Sequence, residues 1–107
     1  MKILPKPLEF EWDKGNINKN LKKHEVTDKE SEEVFGNKPL LVSFDKKHST
    51  RIEFRYNALG KTNQHQVLFI SFTVRGVKAR IISARQANRK ERRKYVRKEE
   101  AQTDSYI

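Results

Sequence analysis

After Pro39 the sequence falls into the two-residue period of β-strands, with links between the runs so short that they limit the topology more than any other feature. Strands are expected over residues 40–44, 51–59, 66–74 and 78–85. The polar stretch 45–50, the Gly- and Asn-containing stretch 60–65 and the Arg75-Gly76-Val77 link leave no room for a crossover helix. The four strands are therefore expected to be consecutive antiparallel neighbours. In the second, Ile52, Phe54, Tyr56 and Ala58 alternate with Glu53, Arg55 and Asn57, so one sheet face packs and the other stays polar. In the third, Leu68, Ile70, Phe72 and Val74 alternate with Val67, Phe69, Ser71 and Thr73. Apolar residues on both sides mark that strand as central.

Helices flank this block. Phe10 and Trp12 alternate with Glu9, Glu11 and Asp13, which reads as a short strand or extended lead-in. Asp13 is placed to cap a short helix reaching to about His24, with Ile17 and Leu21 on its buried side. Thr27 and Glu30 have capping-box spacing and open a second helix, which contributes Val34 and Phe35 and stops at Gly36. Asn88 and Glu91 open a third, ending near residue 100, whose only apolar residues are Tyr95 and Val96. Residues 101–107 read as a flexible tail. The expectation is an α+β fold in one domain, 1–107: two short N-terminal helices, a four-stranded antiparallel sheet and a C-terminal basic helix.

Charge narrows the function. The 24 Lys and Arg outnumber the 14 Asp and Glu, and between Arg75 and Lys98 eleven bases meet a single acid, Glu91. Concentrated charge of one sign attracts a polyanion or an acidic partner protein. The absence of cysteine removes disulfides, thiolate metal sites and cysteine nucleophiles, and suits a reducing cytoplasm. The longest apolar run, 67–72, is broken by Ser71 and is far below the roughly 20 residues a membrane helix needs. Nor does MKILPKPLEFEW have the apolar stretch of a secretion signal, so a soluble cytoplasmic protein is expected, without membrane contact.

Neither a metal nor a nucleotide cofactor is expected. His24, His48 and His65 lie far apart, none in a H-x-x-x-H pair, and the glycines form no phosphate-binding loop. No G-x-S-x-G elbow is present. His48 and His65 fall in turns and are read as exposed residues without a role. What remains is chemistry that needs only cations, an acid and a proton acceptor, and RNA cleavage without metal is such a reaction. A base takes the 2′-hydroxyl proton, the oxygen attacks phosphorus, cations stabilise the developing charge, and an acid protonates the leaving 5′-oxygen. Glu53 and Arg55 on the polar sheet face, with Arg75, Arg80 and Arg85 on neighbouring strands, are candidates, and the proton acceptor is His24 or Glu53.

Taken together, the segments FEWDKGNINKNLKKH (10–24), EEVFGNKP (32–39), HSTRIEFRYNALGKT (48–62), LFISFTVRG (68–76) and RIISARQANRKERRKY (80–95) resemble the BrnT toxins of bacterial type II toxin-antitoxin systems. That family's fold is similar to the RelE ribonucleases. Two places depart from the family pattern. Glu25 stands where Gly commonly follows KH, and Ser31 stands within 29–33 where a small apolar residue is usual.

The resemblance implies an mRNA endoribonuclease that stops translation, neutralised by a BrnA-like ribbon-helix-helix antitoxin through which alone operator DNA would be bound. Carried onto this chain, it implies an active surface of Lys23, His24, Glu53, Arg55, Arg75, Arg80 and Arg85 with Tyr95, within which Glu53, Arg55, His24, Arg80 and Arg85 are the residues expected to be catalytic. Lys23, Arg75 and Tyr95 of that surface, together with Arg89, Arg92, Arg93 and Arg97 from the charge of the last helix, are the expected contacts to RNA or antitoxin. The alternative is a non-catalytic basic module that binds RNA or docks a partner.

Overall fold

The computed structural model describes residues 4–6 and 8–104. Its elements run β1 (Glu9–Phe10), α1 (Lys19–His24), α2 (Asp28–Val34), β2 (Leu41–Phe44), β3 (Arg55–Lys61), β4 (Val67–Arg75), β5 (Lys78–Gln86) and α3 (Arg89–Asp104). Strands β2 to β5 pair antiparallel in sequence order, as expected, with β4 inside the sheet. β1 adds a fifth, parallel strand beside β5, so the sheet is mixed and five-stranded rather than four-stranded. The alternation over residues 9–13 marks this segment as extended but does not show which strand it joins, and the pairing is completed by Glu11 N–H donating to the Ala79 carbonyl at 2.9 Å.

Alternation along the strands gives the sheet a core face and an open face. Ala58, Ile70, Phe72 and Ile81 on the core face pack with Val26 and Val34 into one fully buried cluster. A chain of ring contacts runs through it from Phe10 to Phe35, Phe72 and Tyr56. Trp12 packs against the same cluster and donates its indole N–H to the Glu32 carboxylate at 2.6 Å, so α2 supplies the cover this side chain needs. Across the sheet, Leu59 packs with Ala87 and Tyr95 beneath α3.

Local chemistry explains the helices. The Thr27–Glu30 capping box forms in both directions, at 2.9 and 3.0 Å. Gly60 was expected in a turn but lies within β3, because α2 rests directly on it: a Cβ there would stand 2.7 Å from Val34 Cγ1. The β4–β5 link does turn at Gly76, whose φ of 61° a side chain would oppose. Glu25 closes α1 in the left-handed conformation, φ 58°, which favours glycine and costs a non-glycine residue about 1 kcal/mol. Ser31 is buried and bonds its hydroxyl to the Thr27 carbonyl.

α1 departs from expectation. It starts at Lys19, Asp13 is not its cap, and Ile17 and Leu21 remain 50% and 45% exposed while Asn20 is buried. The reason is the edge of β5. Beyond the two residues covered by β1, its backbone needs partners, and Asn16 Nδ2 donates to the Ile81 carbonyl while Asn20 Oδ1 accepts from the Ala84 N–H. Side-chain amides replace a missing strand, so the inward positions had to be polar. α3 runs past the expected end to Asp104; residues 105–107 of the expected tail lie outside the described residues.

Candidate active site

The open face carries the polar alternates of β3, β4 and β5. Pairing places Arg55, Thr73 and Arg80 in one row, Asn57, Ser71 and Ser83 in the next, and Leu59, Phe69 and Arg85 in the third. Arg80 and Arg85 are five residues apart, and a regular strand would point them to opposite faces. A bulge resolves this: Ser71 pairs with Ser83 and Phe72 with Ile81, so Ile82 is extra and both arginines emerge on the open side.

Glu53 was expected on β3, but that strand begins only at Arg55, and Ile52 is 97% exposed. Side chains draw residues 45–54 off the sheet into a compact loop. Ser49 Oγ donates to the Asp45 carbonyl at 2.6 Å and accepts the Arg55 N–H at 2.8 Å, while Thr50 Oγ accepts the Glu53 N–H at 3.0 Å. The Glu53 carboxylate still reaches Arg55 Nε at 3.2 Å and Arg75 at 3.0 Å. Arg75, foremost, and Arg55 hold that carboxyl below its usual range. It is thereby a poor proton donor and a weakened acceptor, better fitted to position two guanidinium groups than to transfer protons.

The same loop sets a residue that the sequence reading passed over. His48 Nδ1 lies 2.8 Å from Asp45 Oδ2, and the His48 backbone N–H donates to Asp45 Oδ1 at 3.2 Å. Desolvation pushes the Asp45 carboxyl up, but the bonds from His48 outweigh it and leave the group below the usual range. Together with Arg55, Asn57, Ser71 and Ser83, this pair lines a hollow of about 370 Å³ on the open face. Its sequence signal was the i, i+3 spacing of Asp45 and His48 in a polar turn just before the strand carrying Arg55.

The other expected residues are distributed as follows. Arg80 is bidentate to Asp13 at 2.8 and 2.9 Å and bonded to Glu11 at 3.1 Å, and only 13% of its side chain is exposed. Arg85 grips Glu91 at 2.9 and 3.1 Å and lies over the Phe69 ring, tying α3 to the sheet. Arg75 joins Glu53 and Glu11. Lys23 and His24 are exposed in the last turn of α1 and do not line the hollow.

On α3, Arg89, Arg92, Arg93 and Arg97 surround the half-exposed Val96 on the outer side, with Arg92 folded back onto the Ala87 carbonyl. Tyr95 corrects the expectation of a contact residue. It is 1% exposed, its hydroxyl donates to the Pro39 carbonyl at 2.7 Å, and burial pushes its pKa up to about 12. A ring so enclosed packs the helix and cannot meet a ligand in this conformation.

Four carboxyls, Asp13, Asp45, Glu53 and Glu91, are held below their ordinary values of 3.8 for Asp and 4.5 for Glu. The folded chain therefore binds protons less readily than the unfolded one. The stability these groups confer is complete above the unfolded values and is lost as pH falls through the folded ones. The expected melting temperature is steady down to about pH 5 and declines below it. Scanning fluorimetry across acidic buffers checks this, and a flat curve to about pH 3 would show that the ion pairs add nothing to the fold.

Among the described residues, no group of three or more His, Cys, Asp or Glu side chains is placed to hold a metal ion, and no helix is long and apolar enough to cross a membrane. A comparison with curated proteins finds no match. A family model described as the ribonuclease toxin, BrnT, of type II toxin-antitoxin systems matches residues 12–91.

Proposed function

The chain belongs to the BrnT family of ribonuclease toxins of type II toxin-antitoxin systems, and from that premise we propose that it is a metal-independent mRNA endoribonuclease that inhibits translation in the cytoplasm. The observation that carries this reading is the gathering of Arg55, Asn57, Ser71 and the Asp45–His48 pair around one hollow on the open face. Such a surface offers a cation for the phosphate, hydrogen-bonding groups for the strand and a titratable ring, which is what 2′-hydroxyl attack requires. We read the α+β layout as RelE-like, with the sheet as the platform on which RNA lies. The cognate antitoxin is expected to be BrnA-like. The basic outer side of α3 is the surface where charge would draw in the RNA backbone or an acidic segment of that antitoxin.

Purified protein is expected to cut end-labelled RNA in the presence of EDTA and to leave 2′,3′-cyclic phosphate and 5′-hydroxyl ends. Cut strands identified by their end chemistry decide the matter. Folded protein that binds RNA with steep salt dependence yet leaves every strand whole would favour the non-catalytic module instead.

A further inference from the structure

We infer that His48, held by Asp45, is the catalytic residue that accepts the 2′-hydroxyl proton when RNA is cut on the open face. The inference rests on the ribonuclease reading above and assigns a role that reading leaves open.

Three features of the loop support it. First, the ring is gripped at one nitrogen only: Nδ1 faces Asp45 Oδ2 at 2.8 Å, and among the described residues Nε2 has no protein partner. A carboxylate at Nδ1 favours the neutral tautomer with its proton there, which leaves the Nε2 lone pair to receive another. Second, the ring is fixed relative to a cation. Ser49 links the Asp45 carbonyl to the Arg55 N–H, and Asp45 N–H itself donates to the Arg55 carbonyl at 2.8 Å. Imidazole and guanidinium thus line one hollow from a single tethered segment. Third, the competing acceptors are occupied or elsewhere. Glu53 is spent on two arginines, His24 ends α1, and His65 sits in the turn between β3 and β4; none of the three lines the hollow.

The step balances without a metal. The 2′-oxygen forms a bond to phosphorus as its proton passes to His48 Nε2. The bond from phosphorus to the 5′-oxygen breaks, that oxygen takes a proton from water, and the hydroxide left behind takes the proton from His48, so that the ring ends neutral. Asp45 stabilises the imidazolium so formed, and Arg55 faces the charge that develops on the phosphoryl oxygens.

The test compares full-length wild type, His48→Gln, His48→Ala and Asp45→Asn on one labelled RNA, with melting temperature and RNA affinity measured alongside. His48→Gln retains an amide that can donate to Asp45 but accepts no proton at neutral pH. It is expected to lose about a hundredfold or more in the cleavage rate at unchanged melting temperature and affinity. Asp45→Asn is expected to lose less, and added imidazole to restore part of the activity of His48→Ala. Wild-type activity in His48→Gln would overturn the assignment while leaving the ribonuclease reading intact. So would a loss matched by weaker RNA binding or a lower melting temperature, with no response to imidazole. Wild-type protein inert on RNA would overturn the ribonuclease reading, and the assignment with it.

Discussion

Arg55→Ala is expected to slow RNA cleavage by about a hundredfold to a thousandfold, the usual consequence of removing one charge-stabilising donor from an active site. The expectation comes from how the four sheet arginines spend their hydrogen bonds. Arg80 places both amino nitrogens on Asp13, Arg85 both on Glu91, and Arg75 divides its two between Glu11 and Glu53. Arg55 meets Glu53 through Nε alone, so the amino end of its fork stays open to a phosphate beside His48. Loss of its ion pair costs the fold about 1 kcal/mol at most, because both partners are partly exposed. Arg55→Ala therefore separates chemistry from stability. Single-turnover kinetics beside a thermal melt measures both, and cleavage at the wild-type rate would show that the phosphate charge is met elsewhere.

Arg80→Ala provides the contrast. Its guanidinium already serves two carboxylates of the N-terminal segment, and a Cβ on Gly15 would lie 2.8 Å from its Nη2. That packing marks Arg80 as the tie between the segment 11–15 and β5. The sequence segments that carry Arg55 and Arg80 do not reveal that Arg80 has both amino nitrogens committed to the fold while Arg55 is held through Nε alone.

The antiparallel core was legible because each of its links carries turn chemistry, and because β4 is apolar on both faces. Residues 51–54 misled because Ile52 and Phe54 continue the strand period, while the forces that lift them off the sheet are single hydroxyls, Ser49 and Thr50, bonding to backbone. The same hydroxyl bonds position His48, so missing the loop and missing the histidine were one error. The bulge at Ile82 was invisible for a different reason. Nothing in RIISAR shows a slipped register until Ser71 and Phe72 are seen to pair with residues two apart, yet that slip is what sets Arg80 and Arg85 on one face. Buried Asn16, ahead of α1, and Asn20 within it answer a bare strand edge, a need defined only once β1 is known to stop at Phe10.

Phe72→Ala is expected to remove about 3–5 kcal/mol of stability, a large part of the roughly 5–15 kcal/mol available to a domain of this size. Phe72 is fully buried in β4, with ring centroids 5.2 Å from Phe35 of the α2 end and 5.6 Å from Tyr56 of β3. Its removal opens a cavity where helix and sheet meet, and neither neighbour can close it without leaving the other. At about 4–8 °C per kcal/mol, the melting temperature should fall by some tens of degrees at the upper end of that range. Because Phe72 also borders the bulge, the open face should loosen with the core, and cleavage should decline at temperatures where the variant is still folded. Urea unfolding followed by tryptophan emission, with cleavage measured at a low fixed temperature, tests both halves. Phe44→Ala is the control: that ring is 52% exposed on an outer strand and should cost far less. Equal losses in the two variants would mean that the ring chain through Phe35, Phe72 and Tyr56 is not what holds α2 to the sheet.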